Sequence, residues 1–379
     1  MCRYLIYPFL LLLASPAVAQ SDPIQIPMHA DHWDAPAGSV SFLNHEGVPS
    51  MKINGGQTRA TARDVVFENG TIEFDVFMVD SGFTIYFRQE STEESEIVYF
   101  RGFMLGNPDQ PDVVQYSAVL NGILLWNVHG HYQGPAKHLV NDWTHVKLVV
   151  SGRRMLLYVH DMEQPALDIP HLEGTPSAGS IALEGTSAFA NMVITPDKTE
   201  GLSPAALPDI TDHDPRYLRN WEVSESFLLP FGHEMVSANR NFISSPYLPD
   251  STTQWQPVNA ERLGLVNLSR LFGESTERRG AWLRLRLQSE IQQIRRVDLG
   301  FLDEVWVLVN GQFAYVDKNT YSNPIMKDPA GRISIENTSF PLPLREGENE
   351  ILIGLANNFW SWALIARLDR IRGISQNTP

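Results

Sequence analysis

Thr71-Ile72-Glu73-Phe74-Asp75-Val76-Phe77-Met78 alternates apolar and acidic side chains along most of its length. A period of two puts successive side chains on opposite faces, so this stretch predicts a half-buried strand. The same signature recurs on both sides of a run of turn residues: Phe83 to Arg88, Ile97 to Arg101, Val113 to Leu120, Ile123 to Val128, His145 to Val150, Arg154 to His160, Ile181 to Glu184 and Phe189 to Ile194. Gly, Asn, Asp and Pro separate these runs, and none keeps a helical period. Many short strands divided by turn residues predict an all-β sandwich.

Pro196, Pro204, Pro208 and Pro215 then interrupt the pattern, with Asp, Thr and Ser between them, as in a linker or a loop draped between domains. The pattern resumes at Trp282-Leu283-Arg284-Leu285-Arg286-Leu287. The run Asp303 to Val309 meets Asn310-Gly311, a hairpin signal, and returns through Gln312 to Val316. Gly331 to Glu336 and Asn349 to Ala356 complete the set, and Leu263 to Phe272 is the one short helical stretch expected. The fold class is therefore all-β: two tandem β-sandwich (jelly-roll) domains after a signal peptide. The expected divisions are 1–19 for the leader, 25–197 for the first sandwich, 198–216 for the linker and 217–374 for the second.

The leader is read from Arg3, the apolar run Leu5 to Leu13 and the small-x-small triplet Ala17-Val18-Ala19. That run falls short of the roughly 20 residues a spanning helix needs. A periplasmic or secreted location follows, with no integral membrane segment in the mature chain. Cys2 is the sole cysteine and precedes the apolar run, so the mature chain has no disulfide and no cysteine metal site. A net charge of −15 over 379 residues is the wrong sign for nucleic acid or an anionic membrane.

The first half resembles the concanavalin A-like/laminin G sandwich, and within it the 3-keto-disaccharide hydrolase-like domains. The resemblance rests on Asn69 to Val76, Asp80-Ser81-Gly82-Phe83 leading to Phe87-Arg88, and Val114-Gln115. It also rests on the hairpin Trp143 to Gly152 with Leu157 to Asp161, and on Gly179 to Gly185 with Phe189 to Ile194. The second half resembles a galactose-binding-like jelly roll, through Val305 to Gly311 and Leu344-Arg345-Glu346-Gly347-Glu348-Asn349-Glu350 to Ile353. These resemblances imply carbohydrate as the partner and the polar face of the first sandwich as concave.

On that expectation Tyr86, Arg88, Tyr99, Arg101, Gln115, Asn127, His129 and His131 converge in one groove, with planar donors for hydroxyls and rings for C–H faces. An ordinary solvated sheet face is the competing reading. In the second half, Trp360 and Trp362 at i and i+2 would share one side of a strand beside Asn357 and Asn358, as a ligand site or as a clamp. His129-Gly130-His131 could chelate, but no cysteine or nearby acid completes a ligand set, so no metal is expected there. Asp303-Glu304 leaves a structural calcium open, and no other cofactor is expected.

A glycosidase needs two carboxylates across the bond. The resembling hydrolase-like domains suggest an acid beside the glutamine, whereas Val113 and Val114 precede Gln115. No nucleophile elbow, phosphate loop or HExxH occurs. The reading is an exported carbohydrate-binding protein with its ligand on the first sandwich. The alternatives are a glycoside hydrolase-like enzyme acting on an oligosaccharide and a non-catalytic adhesive or structural module that binds protein.

Overall fold

The computed structural model describes residues 22–376 apart from Asp80, Leu105, Arg240, Asn241 and Phe359. The expected leader lies outside the described residues. Every strand pairing is antiparallel and stays within 24–196 or within 220–376. The alternating stretch Gly70–Phe77 sits centrally in the first sheet, between Trp143–Ser151 and Ala188–Pro196. The facing sheet runs Ile123–Leu124, Val114–Leu120, Ser95–Phe100, Thr84–Gln89, Ser180–Glu184, Arg59–Ala62, Trp33–Asp34, with Gln133–Gly134 paired to Val114–Leu120. Phe74, Ile85, Phe87, Val98, Tyr116, Leu148 and Leu183 fill the space between the two sheets. Burying a large apolar side chain contributes about 1.5–3 kcal/mol, which suits a sandwich without disulfides.

The second half repeats the plan with other strands. Arg279–Ser289, Gly347–Asn357 and Asp303–Val309 are neighbours in one sheet, facing Leu265–Asn267, Ala363–Leu368, Gln293–Phe301 and Thr338–Leu344. Trp221, Leu283, Val305, Ile353 and Trp362 lie between them. At the hairpin tip Asn310 and Gly311 both have positive φ (50° and 75°), the twist that a two-residue connection requires. The helical stretch reduces to a turn at Arg262–Gly264 and a helix at Leu268–Phe272.

Two expected strands are not strands. After Ile123–Leu124 the chain coils through turns to His131, and Gly331 to Glu336 is irregular. Both segments meet at the boundary between the halves. Leu120, Ile123, Leu125 and Val128 pack against Leu265, Leu302, Ile333, Ala363 and Ile365 as one apolar cluster. Asn127 accepts a hydrogen bond from the Ile333 amide at 2.9 Å, and Arg332 pairs with Asp112 at 3.1 Å. A Cβ on Gly130 would come within 2.5 Å of the Arg332 side chain. The glycine between the two histidines is thus a close-approach residue for the other half of the molecule. The Pro-rich connection is held down at both ends: Arg153 and Leu218 donate their amides to Pro204 and Ala366.

Candidate functional site

Register assigns the outer face of the 84–89 sheet. Arg59 lies opposite Glu184, Glu184 opposite Thr84, Thr84 opposite Tyr99, Tyr99 opposite Gln115 and Gln115 opposite Gln133. These side chains form one polar row across six neighbouring strands. A second row, Thr61, Ala182, Tyr86, Ile97 and Ser117, lies beside it. The core residues Ala60, Leu183, Ile85, Val98 and Tyr116 occupy the intervening positions and point the other way.

Within the row the polar groups are tied together. Glu184 accepts from the Tyr86 hydroxyl at 2.9 Å and from Arg59 Nε at 3.3 Å, and the Arg59 guanidinium lies 3.9 Å over the Tyr86 ring. Burial, reinforced by the Glu184 charge, pushes the Tyr86 hydroxyl well above its ordinary range. Burial likewise raises Tyr99 to about 12. Both phenols therefore keep their protons at neutral pH and act as donors.

Tyr99 donates to Gln115 Oε1 at 2.8 Å, and Arg101 donates to both Tyr99 and Gln115. Gln115 Nε2 in turn donates to the carbonyls of Trp126 (2.7 Å) and His129 (3.0 Å). Gln115 is fully buried, so it holds the row from beneath. The Tyr99 end of the face is flanked by the second half, where Tyr321 meets Trp126 edge-on at 4.8 Å and Arg332 lies over the same indole at 5.4 Å.

The predicted groove residues divide. Tyr86, Tyr99, Arg101 and Gln115 share the face just described. Arg88 does not join them: its φ is +49° at an irregularity in the pairing with Ser180–Glu184, which breaks the alternation. Its side chain, 2% exposed, donates instead to the Glu68 carbonyl and Asn69 Oδ1. Beyond Arg88, the buried Glu96 carboxyl takes hydrogen bonds from Tyr116 (2.7 Å) and the Gly174 amide (3.1 Å). Burial lifts its pKa to about 7.

Asn127 and His129 are buried beneath the face. His129 Nδ1 lies 3.2 Å from Ser117 Oγ, and burial lowers its pKa to about 3. His131 is exposed and lines a cavity of about 230 Å³ between the halves. The walls of that cavity are mainly aliphatic, from Val128, Leu263, Leu265, Ile333 and Ile365. Its one first-half carboxylate, Glu173, is already engaged by Tyr132 at 2.7 Å and His171 at 3.0 Å. Those partners, acting against burial, hold its pKa down at about 2.

Trp360 and Trp362 do not share a side. They lie in a loop between Gly347–Asn357 and Ala363–Leu368, where strand alternation does not operate. Trp362 is fully buried in the core, whereas Trp360 is 46% exposed. Glu304 pairs with Arg278 at 2.8 Å and Lys318 at 3.2 Å, and Asp303 Oδ2 caps the Asn358 amide. Both acids thus have protein partners, and no group of three His, Cys, Asp or Glu among the described residues is placed to hold a metal ion.

Reading the sequence strand by strand left Arg59, Glu184, Tyr321 and Arg332 out of the expected site. The alternation Arg59-Ala60-Thr61-Ala62 and the end of Ile181 to Glu184 carried the first two. No local pattern marks the last two, which arrive from the other half of the chain.

No protein-family profile and no curated protein matches the chain. Among solved structures it is similar to a carbohydrate binding module, CBM66 from Bacillus subtilis (16% identity, 43% of this chain and 95% of that one, TM-score 0.32). It is similar also to a putative glycosyl hydrolase from Parabacteroides distasonis (12% identity, 46% and 99% covered, TM-score 0.32). A third is the VIP36 exoplasmic/lumenal domain in its Ca2+/Man3GlcNAc-bound form (11% identity, 45% and 87% covered, TM-score 0.32).

Proposed function

We propose that this chain is an exported carbohydrate-binding protein whose ligand lies across Arg59, Glu184, Thr84 and Tyr99 on the outer face of the first sandwich. One observation carries the reading: the unbroken polar row over neighbouring strands. Arg59, Glu184, Thr84 and Tyr99 are each only partly buried, so their polar atoms sit low in the surface yet remain within reach of a ligand. Sugar hydroxyls both donate and accept, and the row supplies guanidinium donors, a carboxylate acceptor and two-way hydroxyls. The Gln115 network fixes Tyr99 beforehand, so less ordering is lost on binding.

Binding is favoured over cutting on this face. Glu184 is engaged by Arg59 and Tyr86, and the other acid of the two rows, Asp34 opposite Thr61, pairs with Arg63 at 2.6 Å. The two-carboxylate route needs two acids facing the bond, and both of these already carry arginine partners.

Titration calorimetry against a panel of neutral oligosaccharides tests the proposal. Removing a charged hydrogen-bond partner costs about 1.5–3 kcal/mol, so Arg59→Ala should weaken the best ligand at least tenfold, and Thr84→Val by a smaller factor. Unchanged affinity in both variants would overturn the assignment of the face. Reducing sugar released from an oligosaccharide would replace binding by hydrolysis.

A further inference from the structure

Trp360 sits in the loop between Gly347–Asn357 and Ala363–Leu368. Its φ of +62° lies in the left-handed region, which bulky side chains rarely adopt, and the indole is 46% exposed. The loop is pinned in this conformation: Asn357 Nδ2 donates to the Trp360 carbonyl at 2.8 Å, and the Asn358 amide donates to Asp303. The result is a pocket of about 290 Å³ with Trp360 on one wall and Phe231, 75% exposed, also lining it. Glu274, Glu277 and Asn358 supply its polar side.

The charge of the pocket is one-sided. Arg278 lines it too, but its guanidinium is 4% exposed, paired with Glu304, and donates to the carbonyls of Leu229, Pro230 and His233. Glu274 and Glu277 are exposed and make no ion pair among the described residues. Two aromatic faces with two carboxylates favour a ligand with a C–H face and a positive charge, through ring stacking, cation–π attraction and charge-assisted hydrogen bonds. They disfavour an anionic sugar by repulsion.

We infer that this pocket is a second binding site, specific for a sugar ring bearing a protonated amine. The choice of a sugar over another organic cation rests on the carbohydrate reading of the first face; the site itself does not. The pocket abuts the edge of the first half: Ile123 lines it, and Ser361 Oγ donates to the Leu124 carbonyl. The pocket thus borders the contact between the halves.

The test uses the intact chain and calorimetry with a trimer of β-1,4-linked glucosamine, its N-acetylated counterpart, a galacturonate trimer and choline. The glucosamine trimer should bind, lose affinity as salt rises, and lose at least tenfold in Trp360→Ala and in the double variant Glu274→Gln/Glu277→Gln. Arg59→Ala should leave it unchanged. The pinning by Asn357 acts on backbone, so Trp360→Ala keeps the loop anchor, and the double variant reads the site without touching the loop.

Binding of the galacturonate or N-acetylated trimer that is equal to the glucosamine trimer's and is lost in Trp360→Ala would overturn the charge assignment. Tighter binding of choline would overturn the sugar. Affinity lost in Arg59→Ala but kept in Trp360→Ala would place the glucosamine trimer on the first face and overturn this site alone. Affinity lost only in Trp360→Ala and the acid variant supports it even if the first face binds nothing.

Discussion

Glu96 and His129 are both sunk in the first half, and burial moves their pKa values in opposite directions, to about 7 and about 3. Their effects on stability are therefore opposed. Glu96 ionises near its reference value of 4.5 when unfolded but only near 7 when folded. Its contribution is complete below 4.5 and is lost as pH rises through 7. His129 protonates near 6.5 when unfolded and near 3 when folded. Its neutral burial is without penalty above 6.5, and stability is lost as pH falls toward 3. Between pH 4.5 and 6.5 each term has a slope of about 1.4 kcal/mol per pH unit, with opposite signs. Denaturant midpoints across this window should show Glu96→Gln gaining on the parent as pH rises and His129→Asn falling behind it. Parallel curves for parent and variants would mean that neither group is perturbed.

At the scale of elements, Asn349 shows what a short motif does. It is fully buried; Oδ1 accepts from Asn310 Nδ2 (2.8 Å) and the Arg345 amide (2.9 Å), and Nδ2 donates to the Arg345 and Gly347 carbonyls. One amide thus ties the 310–311 hairpin to the turn entering Gly347–Asn357. Asn349→Ala leaves those groups unpaired and should cost about 1–3 kcal/mol per buried unsatisfied group, measurable as a lower melting temperature. This turn was legible in the sequence, as were strands such as Gly70–Phe77, Trp143–Ser151 and Asp303–Val309, because period-two alternation and turn residues are local signals; Val40–His45, Arg59–Ala62, Gln293–Phe301 and Ala363–Leu368 went unread. Three further features were not legible. Arg88 leaves its row because one residue adopts a positive φ. Trp360 and Trp362 part because their segment is a loop. Leu125 and Val128 read as strand residues because they are apolar, yet what buries them is Leu302, Ile333 and their neighbours, far away in sequence. On the proposed face Tyr86 and Tyr99 follow alternation and could be read from the sequence, whereas Arg59 and Glu184 are joined to them only through pairing between strands distant in the chain.

Across the whole molecule, the shared apolar cluster at Leu125, Val128, Leu302 and Ile333 should make the halves unfold together. Calorimetry of the parent is expected to show one cooperative transition, and Leu125→Glu, which places a charge inside that cluster, should separate it into two. Two transitions in the parent would mean that the contact does not couple them. The tryptophans are distributed unevenly over this body. Trp33, Trp126, Trp221, Trp282, Trp306 and Trp362 are buried, and Trp360 is the one classed as exposed among the nine. The molecule thus carries its own optical reporter. Emission from a solvated indole is red-shifted and open to a collisional quencher, so acrylamide acts first on Trp360 and on the half-buried Trp143 and Trp255. Ligand seated on Trp360 would then be visible as a blue shift and shielding from the quencher, without any label.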